Sequence, residues 1–205
     1  MIKNYFLVAI RTLRKNKSYI IINTLGLGIS LACCITAYLL LAYNIEFDRF
    51  HDDKKVSNIF RIHTLSTEKD GRVVRDDQAP LVMAPMIADE IAGTGRYTRF
   101  LYGGGAMRNG DKAFNEGIAF ADSSFFDMFD FPLVAGSHKS FHDKNTIFLN
   151  EELAKKYFGD EDPIGKILVM NFVNDAEIEV FVGGVVKKFP INNSLTFNAV
   201  MRMEH

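Results

Sequence analysis

YIIINTLGLGISLACCITAYLLLAY, residues 19–43, decides the architecture. No charged residue occurs from position 18 to position 45. These 25 residues would span roughly 37 Å as a helix, enough to cross a hydrocarbon core of about 30 Å with some tilt. Tyr19 and Tyr43 stand where interfacial aromatics belong. The buried helices of soluble domains are seldom so long without a charge, so the stretch reads as one transmembrane helix. A cleavable leader has a shorter apolar region, about 7–15 residues, and a small-residue cleavage pattern. Leu-Ala-Tyr-Asn-Ile at the end of this run offers no such pattern. The Leu31-Ala32-Cys33-Cys34 stretch matches a lipidation signal only in part. Cys33 precedes Cys34 where Gly or Ala is wanted, Ser30 precedes Cys33 by three where Leu is wanted, and apolar sequence continues beyond.

The charges around this segment orient it. Lys3, Arg11, Arg14, Lys15 and Lys17 are the basic residues of the first 17 positions, and all 25 acids lie farther on, starting with Glu46 and Asp48. The net charge of −1 thus hides a basic tip and an acidic body. Positive charge on the N-terminal flank predicts a cytoplasmic N-terminus, an inner-membrane anchor and an exported body. Ile2, Tyr5, Phe6, Ala9, Ile10 and Leu13 line one helical face, with Lys3, Arg11, Arg14 and Lys15 mainly off it. A basic amphipathic helix over residues 1–17 is expected in the cytoplasmic headgroup layer. Within the span, Gly26, Ser30 and Cys34 recur every four residues, close to Asn23 and Ala37. Small residues at that spacing allow close approach of another helix. Both cysteines, Cys33 and Cys34, fall inside the span. The exported body therefore depends on a hydrophobic core rather than disulfides.

Beyond residue 45 the patterns alternate between short strands and helices. Strands are expected at residues 58–66, 97–102, 113–121, 146–149, 166–170, 177–186 and 195–201. Asp70-Gly71 and Asn109-Gly110 signal hairpins. Helices are expected at residues 80–91, with Pro80 in the first turn, at 122–129 capped by Asp122, and at 151–158 between Asn150 as N-cap and Gly159 as C′ residue. Gly103-Gly104-Gly105 reads as a turn. The fold class is therefore α+β: an N-terminal amphipathic helix (1–17), one transmembrane helix (18–45) and a mixed, mostly antiparallel α+β domain (46–205).

Chemistry is sparse in this body. His138 and His142 are spaced i, i+4, but the Glu of H-E-x-x-H is missing, and a solvated loop is the simpler reading. No G-x-x-x-x-G-K-[ST] loop occurs and no nucleophile–base arrangement emerges from local patterns. Asp160, Glu161 and Asp162 read as a solvated turn. The expectation is no enzyme, no catalytic residue, no metal site and no cofactor in this chain.

The order of short motifs adds a resemblance. Arg11-Thr12-Leu13-Arg14-Lys15, Asn23-Thr24-Leu25-Gly26-Leu27, Glu46 with Phe47, Asp48, Phe50 and His51, and Ile59-Phe60-Arg61-Ile62 open the series. It continues with Ala121-Asp122 and Phe125-Phe126 through Phe129, then with Phe131 through Gly136. Ala154-Lys155-Lys156-Tyr157-Phe158-Gly159 with Asp162-Pro163-Ile164-Gly165-Lys166 is the most specific piece. Val182-Gly183-Gly184-Val185 and the segment from Phe189-Pro190 to Ser194 close it. In this order the motifs resemble the N-terminal part of ABC transporter permeases of the FtsX/MacB type, with a MacB-like periplasmic core domain. Two departures stand out: Ile91-Ala92-Gly93-Thr94-Gly95 replaces an F-P-E-[IV] stretch, and Leu195 follows Ser194 where the family often has His.

The resemblance implies a permease subunit that relays the motion of a separate ABC ATPase to the periplasm. The output in that family is export or extraction of a peptide, lipoprotein or drug, or activation of a cell-wall hydrolase. It implies ATP bound by a partner subunit, a second permease copy or homologue, and no nucleic acid. Arg11, Arg14 and Lys15 would face the cytoplasmic partner; Asn23, Gly26, Ser30 and Cys34 would pack against other spans. Family members continue through a second periplasmic subdomain and further spans, so the resemblance implies a chain ending inside the core domain. The alternative expectation is a signal-anchored periplasmic sensor or scaffold without transport activity.

Overall fold

The computed structural model describes residues 4, 5, 8, 11, 12, 15–49, 51, 57–172, 177–190 and 192–204. The chain forms two compact units, Met1–Phe47 and Asp48–His205. In the first, helix α1 (Lys17–Ile45) is long and apolar enough to cross a membrane, and none of it is buried. Its 29 residues extend about 43 Å at the ordinary helical rise. Polar side chains along it bond to the helix's own carbonyls. Ser30 Oγ donates to Gly26 O at 2.8 Å, Thr36 Oγ1 to Ala32 O at 2.9 Å and Asn44 Nδ2 to Leu40 O at 2.8 Å. A bilayer demands this, because hydrocarbon supplies no alternative partner. Upstream, Asn4, Tyr5, Val8, Arg11, Thr12 and Lys15 are helical and exposed. Ile2, Lys3, Phe6, Ala9, Ile10, Leu13 and Arg14, on which the expected amphipathic face mainly rests, lie outside the described residues.

The second unit opens with an antiparallel hairpin, β1 (Thr64–Thr67) and β2 (Val73–Asp76), turning at Asp70-Gly71. Strand β1 is shorter than expected at residues 58–66. Its ladder partner reaches only Thr64, and residues 57–63 pair with no strand among the described residues. Helix α2 (Met83–Glu90) starts later than expected, because a turn from Pro80 O to Met83 N precedes it. Pro85 occupies its first turn, where a missing N–H costs no helical bond.

The main sheet follows. It contains β3 (Phe100–Asn109), β4 (Lys112–Ala121), β5 (Leu133–Gly136), β6 (Thr146–Asn150), β7 (Ile167–Asn171), β8 (Glu177–Val186) and β9 (Ala199–Arg202). Helix α3 (Phe125–Met128) and a 3₁₀ turn (His138–His142) flank β5, and α4 (Glu151–Phe158) follows β6. The strand order is β5-β8-β6-β9-β4-β3-β7, and β7 also pairs with β8. The ladder from β8 through β6, β9, β4, β3 and β7 therefore returns to β8. One edge of β8 carries both β7, on residues 177–181, and β5, on residues 184–186. Pairings β4–β9 and β6–β8 are parallel; the other main-sheet pairings are antiparallel. The sheet is mixed and mostly antiparallel, as the alternating patterns predict.

Side chains alternate across this sheet into two cores. Ile118, Ile147, Leu149, Val182, Ala199 and Met201 face α4 and its Leu153, Tyr157 and Phe158. Ala119, Ala121, Phe148 and Val200 face the phenylalanines of α3 and the segments after it. Phe125, Phe131 and Phe141 are fully buried there. Strand β6 is buried on both faces, so it reads as a continuous apolar run. Helix α4 begins as expected: Asn150 Oδ1 accepts from Leu153 N at 2.7 Å, and Gly159 follows the last turn at φ +64°.

Four local expectations are corrected. Gly103-Gly104-Gly105 is not a turn but the middle of β3, paired with Ile118, Gly117 and Glu116. Close packing requires the glycines: a Cβ at Gly103 would lie 2.7 Å from Phe120 Cε2, and one at Gly105 would lie 2.9 Å from Asn171 O. Asp122 does not cap α3, whose N-cap is Ser124. Its carboxylate is held instead by Arg99. The segment around His138 and His142 is not a loose loop. Phe141 of that 3₁₀ turn is buried, and His138 Nε2 lies 2.8 Å from Phe131 O, its ring stacked on Phe126. At the other end, β9 starts at Ala199 rather than at residue 195. Before it, Asn193 Oδ1 accepts from Leu195 N and Asn193 Nδ2 donates to Leu195 O, forming a tight turn.

Candidate functional site

The chain leaves α1 at Ile45 and, after Glu46 and Phe47, is bonded into the second unit from Asp48 onward. Asp48 N donates to Asn192 O at 2.9 Å. Its carboxylate accepts from Ser194 N at 2.7 Å and from Ser194 Oγ at 2.5 Å. Asp48 adopts φ +59°, in the left-handed region that Asp tolerates better than most side chains. That bend lets one carboxylate reach both groups of Ser194. Three residues on, His51 is buried, with Nδ1 3.1 Å from Asp130 O and its ring against Phe129 and Phe131 at 5.5 and 5.2 Å. Phe131 then packs on Phe189 and Phe197, at 5.3 and 5.1 Å. The residues around Asp48 are thereby clamped to two distant segments, near Asp130 and Ser194.

Two further polar clusters brace the domain. Asp122 and Arg99 form a forked pair: Arg99 Nε and Nη2 donate to the carboxylate at 2.9 and 2.6 Å, and Arg99 N donates at 2.7 Å. The Asp122 side chain holds the Arg99 guanidinium above its ordinary pKa, against the opposing effect of burial. Across the sheet, Lys156 Nζ donates to Glu116 Oε1 at 2.6 Å and lies 4.1 Å from the centre of the Phe114 ring. The Tyr157 hydroxyl lies 3.0 Å from Met107 O and 3.2 Å from the same Glu116 oxygen.

Burial pushes the Tyr157 phenol above the tyrosine value of 10.0, and Glu116 adds to the shift. The folded chain keeps this proton where the unfolded chain releases it. This contribution to stability is therefore full below about pH 10 and declines as the pH rises past it. Denaturant titrations near neutrality and at about pH 11 should show that alkaline loss, and Tyr157→Phe should reduce it. An equal alkaline loss in both proteins would contradict the assignment.

An open cleft of about 340 Å³ is lined by, among others, Tyr102, Asn150, Lys188, Phe189, Phe197 and Asn198. Lys188 Nζ pairs with Glu152 Oε1 at 2.9 Å, and Lys188 N donates to Glu151 Oε2 at 2.6 Å. Among the described residues, no group of three His, Cys, Asp or Glu side chains converges as a metal site would require.

The expected interaction residues are all on or upstream of α1. Asn23, Gly26, Ser30 and Cys34 are exposed along the helix, with nothing within 4 Å of a Cβ built at Gly26. Arg11 and Lys15 are exposed, and Arg14 lies outside the described residues. The Asp48–Ser194 contact was not foreseen as a contact, although both residues belong to the quoted motifs. Their separation of 146 positions hides it.

Fold and junction together define a class: an α+β domain tethered at its N-terminal side to an apolar helix. The chain belongs to the family of MacB-like periplasmic core domains, whose sequence pattern matches residues 20–203, and so to ABC transporter permeases of the FtsX/MacB type. That match begins inside α1, so the apolar helix is part of the family pattern.

Among solved structures, the chain is similar to a domain of a candidate permease protein from Porphyromonas gingivalis. The identity is 29% and the TM-score 0.55, over 69% of this chain and 60% of that one. It is also similar to the periplasmic region of MacB from Actinobacillus actinomycetemcomitans, at 19% identity and TM-score 0.45, over 58% and 52% of the two chains. A third similarity is to the extracellular domain of the ABC-type transporter YknZ from Gram-positive bacteria, at 16% identity and TM-score 0.44, over 74% and 68%. The match thus spans only 60% of the length of the first of these structures. No curated protein matches the chain.

Proposed function

We propose that this chain is the N-terminal portion of an ABC-transporter permease subunit. It carries the ATP-driven motion of a separate ATPase to the periplasm, for export or extraction of a peptide, lipoprotein or drug. The observation that carries this reading is the short, bonded connection after α1. Two residues separate Ile45 from Asp48, so their Cα atoms stand at most about 10 Å apart at full extension. Displacement of the helix beyond that reach pulls on Asp48, and through Ser194 on the segment that enters β9, a strand paired on both edges.

In this reading the N-terminus is cytoplasmic, in a bacterial inner membrane. Arg11, Arg14 and Lys15 contact the ATPase side, while Asn23, Gly26, Ser30 and Cys34 pack against neighbouring spans. The subunit is not itself an enzyme and holds no cofactor; ATP belongs to the partner. The absence of a Walker-type loop from the sequence supports that division of labour.

Mild detergent extraction followed by affinity purification tests the assignment. An ABC ATPase is expected to co-purify and to be lost when Arg11, Arg14 and Lys15 are all replaced by Glu. Recovery without any ATPase would overturn the transporter reading in favour of a membrane-anchored sensor or scaffold.

A further inference from the structure

Between β8 and β9 the chain runs through residues 187–198, a loop whose two ends meet on the same support. At its start Lys188 N donates to Glu151 Oε2 at 2.6 Å, Lys188 Nζ to Glu152 Oε1 at 2.9 Å, and Lys187 N to Pro132 O at 2.8 Å. At its end Asn198 O accepts from Asn150 N at 2.7 Å, and Asn198 Oδ1 accepts from Asn150 Nδ2 at 3.0 Å. Both ends therefore sit on the start of α4, where Asn150 also caps the helix through Leu153 N. That helix is rooted in the core by Leu153, Tyr157 and Phe158. Ends held together in this way define a compact loop of the Ω type.

The middle of the loop is held differently. Asn192 O accepts from Asp48 N, and Ser194 donates through N and Oγ to the Asp48 carboxylate. Asn193 ties the same stretch together by its two bonds to Leu195, so residues 193–195 move as one piece. On either side of it stand Phe189 and Phe197, whose rings lie 5.2 Å apart and both pack on Phe131. Phe189, Thr196 and Phe197 line the open cleft together with Ala119 of β4. Across that cleft the Tyr102 hydroxyl lies 3.4 Å from Thr196 Oγ1.

From this arrangement we infer that residues 187–198 are a strap, hinged on the first turn of α4 and set in place by Asp48, so that release at Asp48 shifts the Phe189 and Phe197 wall and uncovers Ala119. A segment with several bonds at each end and one carboxylate at its exposed middle yields at the middle first. Strand β9, paired on both edges, resists displacement, so a pull on Ser194 moves the loop before it moves the strand. The inference rests on the permease reading only in taking α1 as the source of movement at Asp48.

Asp48→Gly in the full membrane-held chain releases the middle of the strap without touching either hinge, and amide hydrogen exchange reads both. Leu195 is the decisive reporter, because its N–H donates to Asn193 rather than to Asp48 and quickens only when the loop itself loosens. It should exchange on the order of tenfold faster, the factor that a charged hydrogen bond contributes to an opening equilibrium. The hinge amides of Lys188 and Asn150 should change by less than about twofold. Unchanged exchange at Leu195, or equal acceleration at the hinges, would overturn the inference. Thiol labelling gives a second readout, with Cys33→Ala and Cys34→Ala removing the native thiols. Ala119→Cys, at a position 1% exposed, should react with a maleimide on the order of tenfold faster once Asp48→Gly is added. Ala154→Cys, in the core on the α4 side, should not. Equal gains at both positions mean general loosening and reject the strap. Should Ala119→Cys accumulate poorly, exchange at Leu195 decides alone. ATPase recovery from the same membranes keeps the two questions apart. A strap that stays closed with the ATPase recovered rejects only this device; one that loosens with no ATPase recovered leaves the device standing and rejects the permease reading.

Discussion

Asp48→Ala is expected to uncouple the domain from the helix that precedes it. The substitution removes both bonds to Ser194 and leaves a non-glycine residue at φ +59° without the local bonding that suits Asp there. Hydrogen bonds to a charged group contribute about 1.5–3 kcal/mol when well shielded. Ser194 is exposed, so about 1–2 kcal/mol is the appropriate loss of domain stability, which opens the latch about 5–30 times more often. Under the proposed relay, output should fall while ATP hydrolysis by the partner persists. Asp48→Gly separates strain from bonding: it relieves the backbone and still removes the latch, so it should uncouple as well. Asp48→Asn keeps an acceptor and should retain much of the output. Ser194→Ala leaves the backbone N–H in place and should be milder than Asp48→Ala. Full output from Asp48→Gly would show that the bonds to Ser194 transmit nothing.

Phe125→Ala carries the largest expected cost in stability. The side chain is fully buried, stacked on Phe100 and Phe131 at 5.3 and 5.4 Å, with Phe126, Phe129 and Phe197 around it at 5.1, 5.6 and 6.0 Å. Truncation leaves a cavity that five rings would have to move together to fill. The loss should be about 3–5 kcal/mol, a large part of a typical domain's 5–15 kcal/mol. Because Phe131 also contacts His51, the anchorage near Asp48 should loosen with the core. The chain contains no Trp, so tyrosine fluorescence during a denaturant titration reads the transition without a stronger fluorophore masking it. Phe60→Ala, at a side chain 86% exposed, should stay within about 0.5 kcal/mol of the parent. Equal stability of the two variants would contradict the packing described for α3.

Much of this architecture was legible where local physics leaves little choice. A run without charge, longer than a bilayer is thick, reads as a span from any starting point. The Asn109-Gly110 turn and the Gly159 helix end were readable because few residues adopt a positive φ, and the Asn150 cap because few side chains accept from a helix-end amide. Strand β8 was delimited fully by its pattern, Glu177–Val186. The misreadings share a different cause. Gly103 to Gly105 look like a turn because glycine carries no pattern; the Phe120 ring against Gly103 and the Asn171 carbonyl against Gly105 reveal why side chains are missing there. Asp122 stands two positions ahead of the N-cap Ser124, and its carboxylate forms a forked ion pair with Arg99 instead. The candidate site was the least legible feature. Asp48 and His51 are far in sequence from Asp130 and Ser194, and no local rule joins the two pairs.

Amide hydrogen exchange at Ser194 tests the central claim most directly, because its N–H donates to Asp48. The full-length protein would be held in a membrane with its ATPase and compared in ADP and in a trapped ATP state. The relay account predicts that protection of the Ser194 amide changes with nucleotide state, and that Asp48→Gly abolishes the difference. Identical exchange at Ser194 in both states, from a complex that still hydrolyses ATP and transports, would contradict it.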